Sequence, residues 1–92
     1  MSDFKLGQIV FSKSGRDKGE AFIVTQISGE FLYLANGSLR KLEKPKKKKI
    51  KHVQKTNFID IDIGIKLLEK SYLLDSDIRK SIKNFKEVGS IV

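Results

Sequence analysis

Apolar residues come in short strand-like bursts over the first half of the chain and at helical spacing over the last third. Gln8-Ile9-Val10-Phe11-Ser12, Ala21 to Ile27 and Phe31-Leu32-Tyr33-Leu34-Ala35 are rich in β-branched and aromatic side chains, which suit a pleated, half-buried surface. They predict three strands. Ser14 to Gly19 is a polar loop bracketed by glycines, and Ser28-Gly29 reads as a two-residue turn. Asn36-Gly37 is a strong hairpin signal, because type I′ turns need φ > 0 at both central positions. It predicts a further strand over Ser38-Leu39-Arg40-Lys41-Leu42. Short strands at this spacing favour a small barrel over alternating strands and helices.

The central segment holds the only proline, Pro45, followed by Lys46-Lys47-Lys48-Lys49. Four adjacent ammonium groups repel one another, so residues 43–49 read as a loop. A last short strand through Ile50 and Val53 would close the barrel. Beyond it, Ile59, Ile61, Ile63 and Ile65 alternate with Asp60, Asp62 and Gly64, a period of two that fits a strand. Helical spacing fits as well, through Ile61, Ile65, Leu68 and Tyr72. The continuation Lys66-Leu67-Leu68-Glu69-Lys70 favours the helix. A second helix is clearer: Asp75 or Ser76 can cap it, Ile78, Ile82 and Phe85 share one face, and Gly89 can stop it. The predicted architecture is mostly β, a five-stranded barrel over residues 1–55, with a helical appendage of two short α-helices over 56–92.

Charge changes this picture more than length does. The 92 residues carry a net charge of +8. Residues 1–39 hold four basic and four acidic side chains, and residues 56–92 hold six of each, so both sum to zero. Residues 40–55 hold nine basic side chains against Glu43 alone, and the whole excess lies there. Lysine is a point-charge partner suited to phosphate and poor at reading base edges. The nine basic groups, eight lysines and Arg40, are enough for about six to eight phosphates, with affinity falling steeply as salt rises. The chain has no cysteine, hence no disulfide and no thiolate ligand, and a reducing, cytoplasmic setting is expected for so small a domain. No apolar run approaches the ~20 residues of a membrane helix, and no amphipathic anchor adjoins the lysines, so membrane is not an expected partner.

One stretch carries a family likeness. Gly7 to Ser14, then Gly15-Arg16-Asp17-Lys18-Gly19, then Phe22-Ile23-Val24 form an apolar run, a basic loop ending in glycine, and a second apolar run. This arrangement resembles the KOW motif of ribosomal and transcription-elongation proteins. It is most similar to small bacterial KOW proteins related to the "fourteen-e" family of large-subunit ribosomal proteins, in which a lysine run also follows the barrel. The likeness covers about residues 5–55. It implies an SH3-like barrel that binds structured RNA, ribosomal RNA among the candidates, with the residues matching Arg16, Lys18 and Gly19 at the contact. It also implies ribosomal or transcription proteins as possible partners.

The candidate RNA-binding residues are therefore Lys13, Arg16, Lys18 and Gly19 in the loop. Arg40, Lys41, Lys44, Lys46, Lys47, Lys48, Lys49, Lys51, His52 and Lys55 form the basic arm. Gly19 can adopt φ > 0 or let a ligand approach the backbone closely. Phe11, Phe22, Phe31 and Tyr33 read first as core residues, with Tyr33 the best candidate to stack on a base because its hydroxyl tolerates a wet rim. Phe58 and Phe85 read as packing residues. His52 is the only histidine and lacks neighbours to form a metal site. Asp60 and Asp62 invite an acid–base reading, but no Walker loop, dinucleotide fingerprint or nucleophile elbow accompanies them. A non-catalytic protein without cofactor is expected, with a protein-interaction module as the alternative.

Overall fold

The computed structural model describes residues 3–89. Its elements are β1 (Gln8–Ser12), β2 (Ala21–Ser28), β3 (Phe31–Ala35), β4 (Lys46–Lys49), a 3-10 turn (Ile50–His52), β5 (Val53–Ile59), α1 (Ile61–Glu69) and α2 (Asp75–Gly89). The strands form one antiparallel sheet in the order β4-β3-β2-β1-β5. Laid flat, five strands would put the outer two about 19 Å apart. Yet β4 and β5 are joined by three residues, whose reach is about 14 Å. The sheet therefore curls.

Curling gives the sheet two apolar surfaces. Val10, Phe22, Val24, Leu32, Leu34 and Val53 fill the concave side. On the convex side Ile9, Ala21 and Ile23 pack against Ile63, Ile78 and Ile82 of the helices. Strand β1 is thus covered on both faces, and Ile9 and Val10 are both fully buried. Phe85 meets Phe11 and Phe58 at ring-centroid distances of 5.9 and 5.5 Å, tying α2 to β1 and β5 as packing residues.

Several expectations are corrected. The fourth strand is not 38–42 but the lysine run itself, Lys46–Lys49, paired residue for residue with Phe31–Leu34. Asn36-Gly37 does not join two strands. The Asn36 carboxamide accepts from the backbone N–H groups of Ser38 and Arg40 at 3.1 and 2.9 Å, and Arg79 donates to the Gly37 carbonyl at 2.5 Å. That loop is a seat for α2, and tertiary contact overrides the local turn signal. The two-residue β-turn lies one residue later than read, since Ser28 pairs with Phe31 across Gly29 and Glu30. Asp75 opens α2, but its carboxylate accepts from the Leu42 N–H at 2.8 Å, while that of Asp77 accepts from Leu74 at 3.0 Å. Nor are the helices an appendage: β5 runs across the expected boundary at residue 55, and the helices share the sheet's core.

The ambiguous isoleucine run divides. Ile59 ends β5, and Asp60 starts α1 by accepting from the Ile63 N–H at 3.1 Å. The face of α1 that packs inward is not the one read from spacing. Ile63 is buried, whereas Leu68 and Tyr72 are 74% and 81% exposed, and Ile61 and Ile65 are exposed with them. Gly64 decides this. A Cβ there would lie 2.7 Å from the Leu6 carbonyl oxygen, and one on Gly7 would lie 2.4 Å from that of Asp60. Two glycines let the helix and the chain before β1 touch backbone to backbone, which turns Ile63 and Leu67 to the sheet. Among the described residues no helix is long and apolar enough to cross a membrane.

This packing makes a testable contrast on one helix. Ile63→Ala should lower stability by about 2–4 kcal/mol through the cavity it leaves. Leu68→Ala should change it by less than about 0.5 kcal/mol. Urea unfolding followed by circular dichroism measures both.

Candidate nucleic-acid interface

Strand geometry sorts the lysine run. Successive side chains on a strand point to opposite faces, so Lys46 and Lys48 accompany Leu34 and Leu32 toward the inside, while Lys47 and Lys49 accompany Tyr33 and Phe31 outward. Lys48 is only 8% exposed. Its ammonium reaches the Ser14 carbonyl at 2.8 Å and Asp17 Oδ1 at 3.2 Å. Lys46 Nζ lies 2.8 Å from Asp17 Oδ2, an ion pair without the alignment of a hydrogen bond. Ser12 Oγ sits 2.7 Å from Asp17 Oδ1 and 2.9 Å from the Ser14 carbonyl, and its proton serves one of them.

The interior pair is therefore not a phosphate grip. Lys48, assigned to RNA from sequence, is spent on Asp17 and the loop backbone, and Lys46 is largely spent on Asp17. Burial by itself would raise the Asp17 pKa. The contacts with Lys46 and Ser12, and the hydrogen bond and charge of Lys48, outweigh it and hold the carboxyl at about 2, below its ordinary 3.8. Removing either lysine strips the buried Asp17 carboxylate of one of its two cationic partners, which costs more than losing a surface pair.

The remaining candidates are distributed around this pin. Lys47 and Lys49 are exposed, and the Lys47 ammonium lies 4.4 Å from the centre of the Phe31 ring. Arg16, Arg40 and Lys46 line one depression of about 430 Å³, so the loop and the segment after β3 converge as the sequence could not show. Lys13 and His52 meet through the backbone, the Lys13 N–H donating to the His52 carbonyl at 2.8 Å. Lys18, Lys41, Lys44 and Lys51 are exposed. Lys55 lies on β5, at the other edge of the hydrogen-bonded order, with Asp3 at 3.8 Å. Gly19 has φ +88°, which an L side chain rarely adopts, and nothing lies within 4 Å of where its Cβ would be. It makes the turn and leaves the surface there open.

The structure also supplies cations that charge counting overlooked. Arg79, Lys83 and Lys86 line a second depression of about 590 Å³, which shares Glu20 and Asn36 with the first. Their spacing of four and three puts them on one face of α2, a signal present in the sequence but hidden because the helical region sums to zero. Asp60 is committed to structure, its other oxygen accepting from Ser81 at 2.6 Å, and Asp62 is exposed, so the two carboxylates do not converge. Among the described residues no cluster of three or more His, Asp or Glu is placed to hold a metal ion. No family model matches the chain, and no curated protein matches it.

The Asp17 pin has a pH signature. Its folded pKa lies below its unfolded one, so the native state binds fewer protons and the contribution is complete above 3.8 and lost as pH falls toward 2. After allowance for solvent screening this is about 1–2 kcal/mol. Wild-type protein should exceed Asp17→Asn in stability at neutral pH, and the gap should narrow between those two pH values in urea titrations.

Proposed function

We propose that this chain is a non-catalytic RNA-binding protein built on a small SH3-like barrel of the KOW type. The curled five-stranded sheet and the loop Gly15 to Gly19 are compatible with that resemblance. The observation that carries the reading is the confinement of all eight excess positive charges to residues 40–55, within which Lys47 and Lys49 are displayed on a rigid sheet. Lysine heads on a fixed strand meet phosphates without paying to order a flexible arm. Structured RNA, ribosomal RNA among the candidates, is the polyanion in view, in a cytoplasmic, translation-associated setting. Recognition by such groups follows backbone shape more than sequence.

A second reading has its own observation. Ile61, Ile65 and Leu68 form an exposed apolar stripe on α1, with the exposed Tyr72 just beyond its end, the kind of surface that meets a protein. Salt separates the two, because apolar contacts persist where phosphate contacts fade.

The expected result concerns the outward pair alone. Lys47→Ala with Lys49→Ala should leave unfolding unchanged and weaken binding to an RNA hairpin. The slope of log K against log salt should become shallower by roughly 1.4–1.8 if each lysine neutralises one phosphate. Unchanged affinity and slope in an anisotropy titration would refute the assignment. Lys46 and Lys48 must stay in place, since their loss damages the fold.

A further inference from the structure

The outward surface of β3 and β4 holds more than charge. Phe31 and Tyr33 are half-buried there, whereas their strand neighbours Leu32 and Leu34 are fully buried on the other side. Phe31 stands opposite Lys49 and Tyr33 opposite Lys47. On the β2 side the same two aromatics stand opposite Ser28 and Gln26. Directly opposed residues share a face, so these six form one surface with two aromatic rings, two ammonium groups and no carboxylate. β4 ends the hydrogen-bonded order, which leaves the surface open on the lysine side. The helices cover the sheet elsewhere, against Ile9, Ala21 and Ile23.

We infer that this surface is a stacking platform for unpaired nucleotides, with Tyr33 against a base and Lys47 and Lys49 on the flanking phosphates. The inference rests on the RNA-binding reading and narrows it from structured RNA as a whole to the unpaired segments within it. The Lys47 ammonium over the Phe31 ring is held by the cation–π attraction. That places positive charge over the Phe31 ring and leaves Tyr33 to meet the base. A ring stacks on any base because every base has a π-face, so the platform selects unpaired over paired nucleotides rather than one sequence over another. Bases stacked inside a duplex present no such face. The hydroxyl of Tyr33 keeps the ring compatible with a wet rim.

The chain has two tyrosines and no tryptophan, so Tyr72→Phe leaves Tyr33 as the only strong ultraviolet fluorophore. Titrating that variant with a single-stranded oligouridine 12-mer should quench its emission, and a 12-base-pair RNA duplex should not. In the same background Tyr33→Leu should weaken the single strand roughly 5- to 100-fold. Duplex affinity and the salt slope should be unaltered, because no phosphate contact is lost. Salt-sensitive binding of the single strand with undiminished Tyr33 emission would overturn the platform and leave the phosphate reading standing. Equal weakening toward both RNAs would also overturn it, as damage to the fold. No salt-sensitive binding of either RNA would fail the RNA reading itself.

Discussion

Two of four consecutive lysines can enter a folded interior only because one carboxylate is waiting for them. Asp17 meets Lys46 and Lys48 at once, and Ser12 and the Ser14 carbonyl complete the polar set. Without that carboxylate, the buried Lys48 ammonium would keep only the Ser14 carbonyl and Lys46 would lose its ion pair, leaving buried positive charge uncompensated. The basic loop and the lysine run, which lie far apart in the chain, are thus parts of one device. The loop's acid holds the run's alternate residues, and the run holds the loop.

That pin sets the fate of the other two lysines. A strand fixes direction as well as position, so anchoring Lys46 and Lys48 inward obliges Lys47 and Lys49 to project outward beside Phe31 and Tyr33. Charged residues on an edge strand also discourage a second sheet from adding to it. The result is a basic surface on a rigid support, where a free tail of the same composition would lose conformational freedom on binding. The cations of α2 adjoin Arg16, Arg40 and Lys46 instead, through two depressions that share Glu20 and Asn36.

Much of this was legible beforehand, and the failures share a cause. Strands β1, β2 and β3 were readable because β-branched and aromatic residues cluster there, and Ile78, Ile82 and Phe85 were readable because their spacing holds over a long helix. The lysine run reads as a loop because repulsion between neighbours is a local argument, whereas its remedy, Asp17, lies some thirty residues earlier. Asn36-Gly37 failed likewise, since Arg79 and Asp75 claim that loop from α2. On α1, spacing identified an apolar face correctly, but a close backbone approach at Gly64 chose the opposite one for the core. Each miss is a distant partner overruling a local preference. The convergence of Arg16, Arg40 and Lys46 was hidden for the same reason.

The central claim is that strand alternation divides one lysine run between holding the fold and meeting a polyanion. Residue-resolved lysine acetylation, read by mass spectrometry with and without bound RNA, tests both halves in one experiment. Lys48, and to a lesser degree Lys46, should react slowly in either state. Lys47 and Lys49 should react fast in the free protein and become protected when RNA is added. Four lysines reacting at one common rate, with RNA shielding all or none of them alike, would contradict the account.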